Sequence, residues 1–231
     1  MKNIISKPEL EFIGERKTPI IVVDNYAEST ANIIGNAVNQ CTFSPDRHTY
    51  YPGIRSPLPK AYVIACLRPF IQRLYSVYKI PQDLKPIPKD NYYSLITTKP
   101  EDLAPVQSLP HFDTLNPFLI AAIHYLNEGE YGGTGFFRHK VSQFEYIDES
   151  RKDRYFGEIE KHLHTVRDQV PGYCTADHDE YECYKIIDYK PNRLILFPGF
   201  LLHSTLVNPD TDINADPATG RLTANMFIEF Q

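Results

Sequence analysis

Residues 118–138 read Phe118-Leu119-Ile120-Ala121-Ala122-Ile123-His124-Tyr125-Leu126-Asn127-Glu128-Gly129-Glu130-Tyr131-Gly132-Gly133-Thr134-Gly135-Phe136-Phe137-Arg138. An apolar run of strand length, Phe118–Leu126, is followed by a polar, glycine-rich turn over Asn127–Gly133. A second short apolar run, Gly135–Arg138, comes next. Apolar runs of this length bounded by turn signals argue for buried strands. The same alternation recurs outward in both directions. Asn91–Thr97, Tyr184–Asp188, Arg193–Phe197 and Leu222–Glu229 are further β-like runs, separated by Lys190–Asn192, Pro198-Gly199 and Asn208–Gly220. From Asn91 onward the chain is therefore expected to be mostly β.

The first 90 residues differ in character. Thr18–Val23 is β-branched and short, and predicts a first strand. Glu28–Gln40 predicts a helix starting near Ser29 or Thr30. Residues 44–59 contain Pro45, Pro52, Gly53, Pro57 and Pro59, which suits an irregular loop. Lys60–Tyr78 carries Val63, Leu67, Phe70, Ile71, Leu74, Tyr75 and Tyr78 at helical spacing, an amphipathic helix for packing on a sheet, closed off by Pro81, Pro86 and Pro88. Ser150–Gln169 is charged but repeats Tyr155, Phe156, Ile159, Leu163 and Val166 at helical spacing, and reads as a helical insertion. The expected fold is α+β, mostly β. N-terminal helices (residues 1–90) support a jelly-roll sandwich over 91–231, with the insertion at about 150–169, all in one domain.

Composition narrows the class. The chain has 231 residues, 42% of them hydrophobic and 13% aromatic, enough for a sizeable core. Twenty-four Lys and Arg against 29 Asp and Glu give a net charge of −5, so the chain lacks the basic field that nucleic acid or a membrane surface requires. Cys41, Cys66, Cys174 and Cys183 show no CxxC spacing. Cys174, His178 and Cys183 could be drawn as a zinc clip but lack a fourth ligand, so free reduced thiols are the plainer reading. No apolar run approaches signal-peptide or membrane-spanning length, and a cytoplasmic location is expected by default.

Three short stretches carry chemistry: Pro110-His111-Phe112-Asp113, Leu202-His203-Ser204 and Gly220-Arg221-Leu222-Thr223. On an extended segment residues i and i+2 point to one side, so an imidazole of His111 and the carboxylate of Asp113 can meet one ion. His203 follows a strand and a turn, Leu194–Phe200, and can stand at the mouth of a sheet as the third ligand. Two His and one carboxylate on one face of an ion leave the opposite face open, the arrangement of non-haem Fe(II) oxygenases. Arg221 opens the last β-run, and its planar, permanently charged guanidinium suits a carboxylate. Thr223 lies two residues on, on the same face. The other histidines have plainer readings. His124 sits inside a strand among apolar neighbours and reads as a hydrogen-bonded core residue. His139 lies in the β-region; His162, His164 and His178 fall in polar sequence. His48, in the proline-rich loop, is a surface residue or a substrate contact.

Taken in order, the motif His111-Phe112-Asp113, the segment Tyr125–Phe137 with its paired Gly132-Gly133, the strand Leu194–Phe197, the distal His203-Ser204 and Arg221-Leu222-Thr223 resemble the iron(II)/2-oxoglutarate dioxygenase superfamily, in its prolyl-4-hydroxylase-like branch. The resemblance covers Asn91–Gln231. It implies a double-stranded β-helix core and Fe(II) held by His111, Asp113 and His203. It further implies 2-oxoglutarate with its far carboxylate on Arg221, O2 as oxidant and ascorbate as a reductant. Thr223 and Tyr93 are placed as cosubstrate contacts, Tyr93 because relatives often carry a Tyr on the strand before HxD. A carboxylate at 113 favours hydroxylation over halogenation. The substrate would be a small molecule or a peptidyl group. The sequence departs from the family pattern in two places. Arg221 stands later after the distal His than is usual, with the turn-rich 208–220 segment absorbing the difference. The insertion has no counterpart, and a lid or a homodimer contact are its two open roles. The rival readings are a metal-dependent hydrolase and a non-catalytic binding protein on a cupin-like sandwich.

Overall fold

The computed structural model describes residues 7–46, 49–166 and 171–231. His48 and residues 167–169 of the insertion lie outside that set.

Eight strands form one antiparallel sheet: β1 (Glu9–Ile13), β2 (Thr18–Val23), β3 (Ser44–Pro45), β4 (Gly53–Pro57), β5 (Pro86–Ile96), β6 (Leu119–Tyr125), β9 (Leu194–Pro198) and β11 (Thr223–Phe230). Their spatial order is β1-β2-β9-β6-β11-β5-β4-β3. A smaller antiparallel sheet holds β10 (His203–Thr205), β7 (Thr134–His139) and β8 (Tyr181–Ile187), in that order. The helices are α1 (Ala31–Gln40), α2 (Lys60–Leu67), α3 (Ile71–Tyr78), α4 (Lys152–Val166) and the single turn α5 (Pro209–Asp212). Mostly antiparallel β structure with few helices is the architecture expected from the sequence. None of the helices among the described residues is long and apolar enough to cross a membrane.

The central strands are buried on both faces, which is why they read as unbroken apolar runs rather than alternating ones. Leu194 and Leu196 of β9, with Ile120 and Ala122 of β6 and Ala224, Met226 and Ile228 of β11, meet Leu67, Phe70 and Leu74 from the helices. The intervening Ile195, Phe197, Ala121 and Tyr125 turn the other way, toward Phe136 and Ile187 of the small sheet. The outer face of the small sheet is covered in turn by α4, whose Tyr155 packs with Phe137, Tyr181, Cys174 and Leu202. The layers run helices, large sheet, small sheet, α4, and the space between the sheets is where a site can form.

Three expectations for local structure change, and the α1 start is narrowed to one of its two candidate caps. The 44–59 stretch is not wholly irregular: β3 and β4 pair there, with Arg55 opposite Ser44 on one side and Ser94 on the other. Proline is tolerated because these are short strands at the sheet edge. The first 90 residues accordingly supply β1 to β4 as well as helices. The expected 60–78 helix is broken into α2 and α3 by a 3-10 turn at Arg68–Phe70, because Pro69 lacks an N–H and clashes with the preceding turn. The α1 start is capped by Ser29, whose hydroxyl accepts from Ala31 N at 3.1 Å, while Thr30 contributes no side-chain cap. β5 begins at Pro86, so Pro86 and Pro88 open the next strand, and only Pro81 stands just past the end of α3.

Candidate metal centre

β10 leaves one long side free, and the His-Phe-Asp segment lies along it. His111 N donates to His203 O at 2.9 Å and His203 N donates to His111 O at 2.8 Å, an antiparallel bridge outside the main strands. Asp113 N donates to Gly199 O at 2.7 Å. The segment is thereby stitched down in extended form, and i and i+2 share a side as the spacing predicts. Gly199 permits the close approach: a Cβ there would stand 3.3 Å from both Cβ and Oδ2 of Asp113 and 2.7 Å from Leu119.

The structure brings His111, Asp113 and His203 together. One ligand atom from each lies within 4.8 Å of the other two. Asp113 Oδ1 is 3.8 Å from His111 Nε2, and Asp113 Oδ2 is 3.6 Å from His203 Nε2. Two imidazole nitrogens and a carboxylate oxygen at this spacing are a donor set that fits a first-row divalent metal. Among the described residues no other set of three His, Cys, Asp or Glu side chains converges in this way, Cys174, His178 and Cys183 included.

The imidazoles are prepared as ligands. His203 is buried, and its Nδ1 lies 2.8 Å from Leu201 O. A carbonyl only accepts, so Nδ1 carries the hydrogen and Nε2 presents its lone pair toward Asp113, a device common to metal-bound histidines. Phe197 stands edge-on to the His203 ring at 4.8 Å. His111 faces the cavity. Partial desolvation at the cavity wall, with His203 and Arg55 adding to it, shifts its pKa down from the usual 6.5, while the side chain stays 58% exposed. Burial raises Asp113, while His203 and Arg55 pull it down.

The three groups open onto a cavity of about 660 Å³ between the sheets. Its wall includes Tyr51, Arg55, Tyr92, Phe112, Thr134 and Asn225, and Arg55 is the sole Lys or Arg among the described lining residues. Arg55, Tyr51, Tyr92 and Asn225 went unread in the sequence. A lone Arg in a proline-rich stretch carries no motif, and Tyr92 was passed over for its neighbour.

The remaining expected residues fall in three places. Arg221 is buried, on the inner face of β11's approach. Its Nε donates to Gly132 O at 2.9 Å and lies 3.7 Å from Asp212 Oδ2. Asp212 is fully buried and also accepts from Gly132 N, Asn208 N and the Thr211 hydroxyl. The guanidinium sits 5.7 Å from the Tyr125 ring centroid; the Tyr125 hydroxyl bonds Thr134 at 2.7 Å, and Thr134 lines the cavity. Burial raises the pKa of the cavity-wall Tyr51, and the charges of Arg221 and Arg55 both pull it down. Thr223 is buried on the same face as Arg221, and its hydroxyl accepts from Asn225 Nδ2 at 2.9 Å. Tyr93 is not brought to the site. Strand alternation turns it to the helix face, where its hydroxyl donates to Ile33 O and Asn36 Oδ1 of α1; Tyr92, one residue earlier, takes the cavity side.

Comparison with solved structures finds HygX from Streptomyces hygroscopicus with nickel, 2-oxoglutarate and hygromycin B bound, at 11% identity and a TM-score of 0.45, covering 95% of this chain and 87% of that one. A second HygX structure, with nickel and 2-oxoglutarate bound, matches at 13% identity and a TM-score of 0.44, covering 92% and 83%. No curated protein matches the chain. A family model does match, over residues 6–228, and by that match the chain belongs to the family of unknown function DUF6445.

Proposed function

We propose that this chain is an Fe(II)/2-oxoglutarate-dependent dioxygenase that hydroxylates a C–H bond of an amino-acid-like, peptidyl or carrier-bound substrate. The observation that carries the reading is the convergence of His111, Asp113 and His203 on the wall of one cavity, with the other side left open. On this reading the two sheets are a double-stranded β-helix in a single oxygenase domain. His111, Asp113 and His203 would hold the metal. When bound, iron with 2-oxoglutarate and O2 supplies the oxidation of the C–H bond, releasing succinate and CO2, with ascorbate able to keep the metal reduced.

The protein's own contribution is orientation. Leu201 O fixes the His203 tautomer, and the backbone bridge between His111 and His203 fixes the spacing of two ligands. Arg221 supplies the charge for the far carboxylate of 2-oxoglutarate. Its Nε is tied to Gly132 O, which leaves the terminal nitrogens for that group, and Thr223 stands beside it on the same strand face. Phe112 and Phe197 contribute to the apolar part of the wall.

Titration of metal-free protein with Mn(II), and then of the loaded protein with 2-oxoglutarate, tests this. Saturable metal binding is expected, with cosubstrate binding that requires the metal. His111→Ala and Asp113→Ala should lose both. Arg221→Gln should keep the metal and weaken 2-oxoglutarate by about tenfold or more, as for a lost charge-assisted pair. With Fe(II), slow succinate release inhibited by N-oxalylglycine is expected. Metal binding untouched by Asp113→Ala, or a zinc-dependent hydrolysis indifferent to N-oxalylglycine, would overturn the assignment.

A further inference from the structure

Arg55 is the cation that the metal centre faces, and its surroundings leave one edge of it unused. β4 alternates, so Ile54 packs with the helix-side core while Arg55 points into the space between the sheets. The guanidinium carbon lies 4.1 Å from the Tyr51 ring centroid and 5.4 Å from that of Tyr92, contacts that fix its plane. Nη1 donates to Asp46 Oδ2 at 2.8 Å and to the Thr49 hydroxyl at 3.3 Å. Nε is buried and has no hydrogen-bond partner among the described residues. Buried donors are rarely left unpaired without a reason. The Nε–Nη2 edge of a guanidinium is a two-pronged fork that matches the two oxygens of a carboxylate.

Resting on the oxygenase reading of the His111, Asp113 and His203 centre, we propose that Arg55 is the substrate-recognition residue of this cavity. Its Nε–Nη2 edge binds a carboxylate, so the molecule oxidised here is a carboxylic acid. Arg221 is the cation that the oxygenase reading gives to 2-oxoglutarate, and Arg55 is the one Lys or Arg on the described cavity wall. The two cations therefore divide the anions, Arg221 taking the cosubstrate and Arg55 the substrate. Asp46 holds Arg55 through the opposite nitrogen and aims the open edge.

The test uses full-length protein loaded with Mn(II) and 2-oxoglutarate, which binds without turning over. Matched pairs of carboxylic acids and their primary amides are titrated by ligand-observed NMR: N-acetyl amino acids, benzoic, phenylacetic and hexanoic acids. At least one acid should bind about tenfold more tightly than its amide, a difference near 1.4 kcal/mol. Arg55→Gln should bring that ratio close to one, Arg55→Lys should leave an intermediate ratio, and 2-oxoglutarate affinity should stay within about twofold in both, in line with a contact made to substrate alone. Melting temperatures report whether each variant is folded. No acid preference in the loaded wild type, a preference that survives Arg55→Gln, or loss of 2-oxoglutarate binding in a folded Arg55→Gln would each overturn the assignment. Wild-type protein that fails to bind Mn(II) and 2-oxoglutarate at all refutes the oxygenase reading itself, a separate result.

Discussion

His124 shows how a histidine in a buried strand is used without chemistry. It faces the helices, fully buried, with Nδ1 2.5 Å from the Tyr62 hydroxyl and Nε2 3.0 Å from Asn192 Oδ1. Asn192 Oδ1 also accepts from Ala27 N, so Nε2 donates and Nδ1 accepts from Tyr62. Burial lowers its pKa to about 4 from 6.5. The unfolded chain takes up a proton below pH 6.5 that the folded chain refuses until about pH 4. The stability contribution is therefore complete above 6.5 and is lost as pH falls through that window, by roughly 3 kcal/mol. Urea unfolding at pH 7, 5.5 and 4.5 should show this fall, and His124→Gln should flatten it. At this scale the convergence of His111 and Asp113 was legible in the sequence because a two-residue spacing on extended backbone is a local geometric fact. The sequence reading of His124 as a core residue rested on its apolar neighbours, and the structure agrees. Tyr93 was misread because nothing local says which of two adjacent tyrosines faces the helices. Arg55 was invisible because its significance depends on Tyr51, Tyr92 and a cavity assembled from distant segments.

Strands and helices were legible in proportion to how far their patterns were local. Thr18–Val23 and the strand before Gly199 stand close to where β-branched and apolar residues place them. β4 and the three-residue β10 were missed because they exist only through pairing with β5 and β7. The paired glycines after β6 have a reason that emerges at this scale. A Cβ on Gly133 would lie 2.2 Å from Ile187 O, and β7 begins next door with Thr134 opposite Ile187. Gly133→Ala should push β8 off β7 and lower stability by about 2 kcal/mol or more, read as a drop in melting temperature. On the other side of the small sheet, the Tyr155 hydroxyl of α4 meets that of Tyr181 at 2.8 Å, both buried. Tyr155→Phe should lower stability by about 1 kcal/mol in denaturant titration.

The candidate metal centre joins parts of the molecule that are far apart in sequence, which couples it to the stability of the whole. His111 and Asp113 come from the segment between β5 and β6, and His203 from β10 at the edge of the other sheet. An ion that binds the folded chain and not the unfolded one raises stability by about 2.7 kcal/mol at a hundred times its dissociation constant. Mn(II) should therefore raise the melting temperature of the wild type, and Asp113→Ala should abolish the rise. The layered architecture was legible as strands plus helices. The division of the strands between a large and a small sheet was not, since sheet membership is set by long-range pairing that no single segment encodes.

The tyrosine that anchors α4 also reaches, at 3.5 Å, the carbonyl of Pro110, the residue immediately before His111, the first candidate ligand. The helix that roofs the small sheet thus has a hand on the strap carrying His111. A molecule that lifts or clamps this roof would be felt as a change in grip on the ion, and by thermodynamic reciprocity loading the ion would alter how firmly the roof is held.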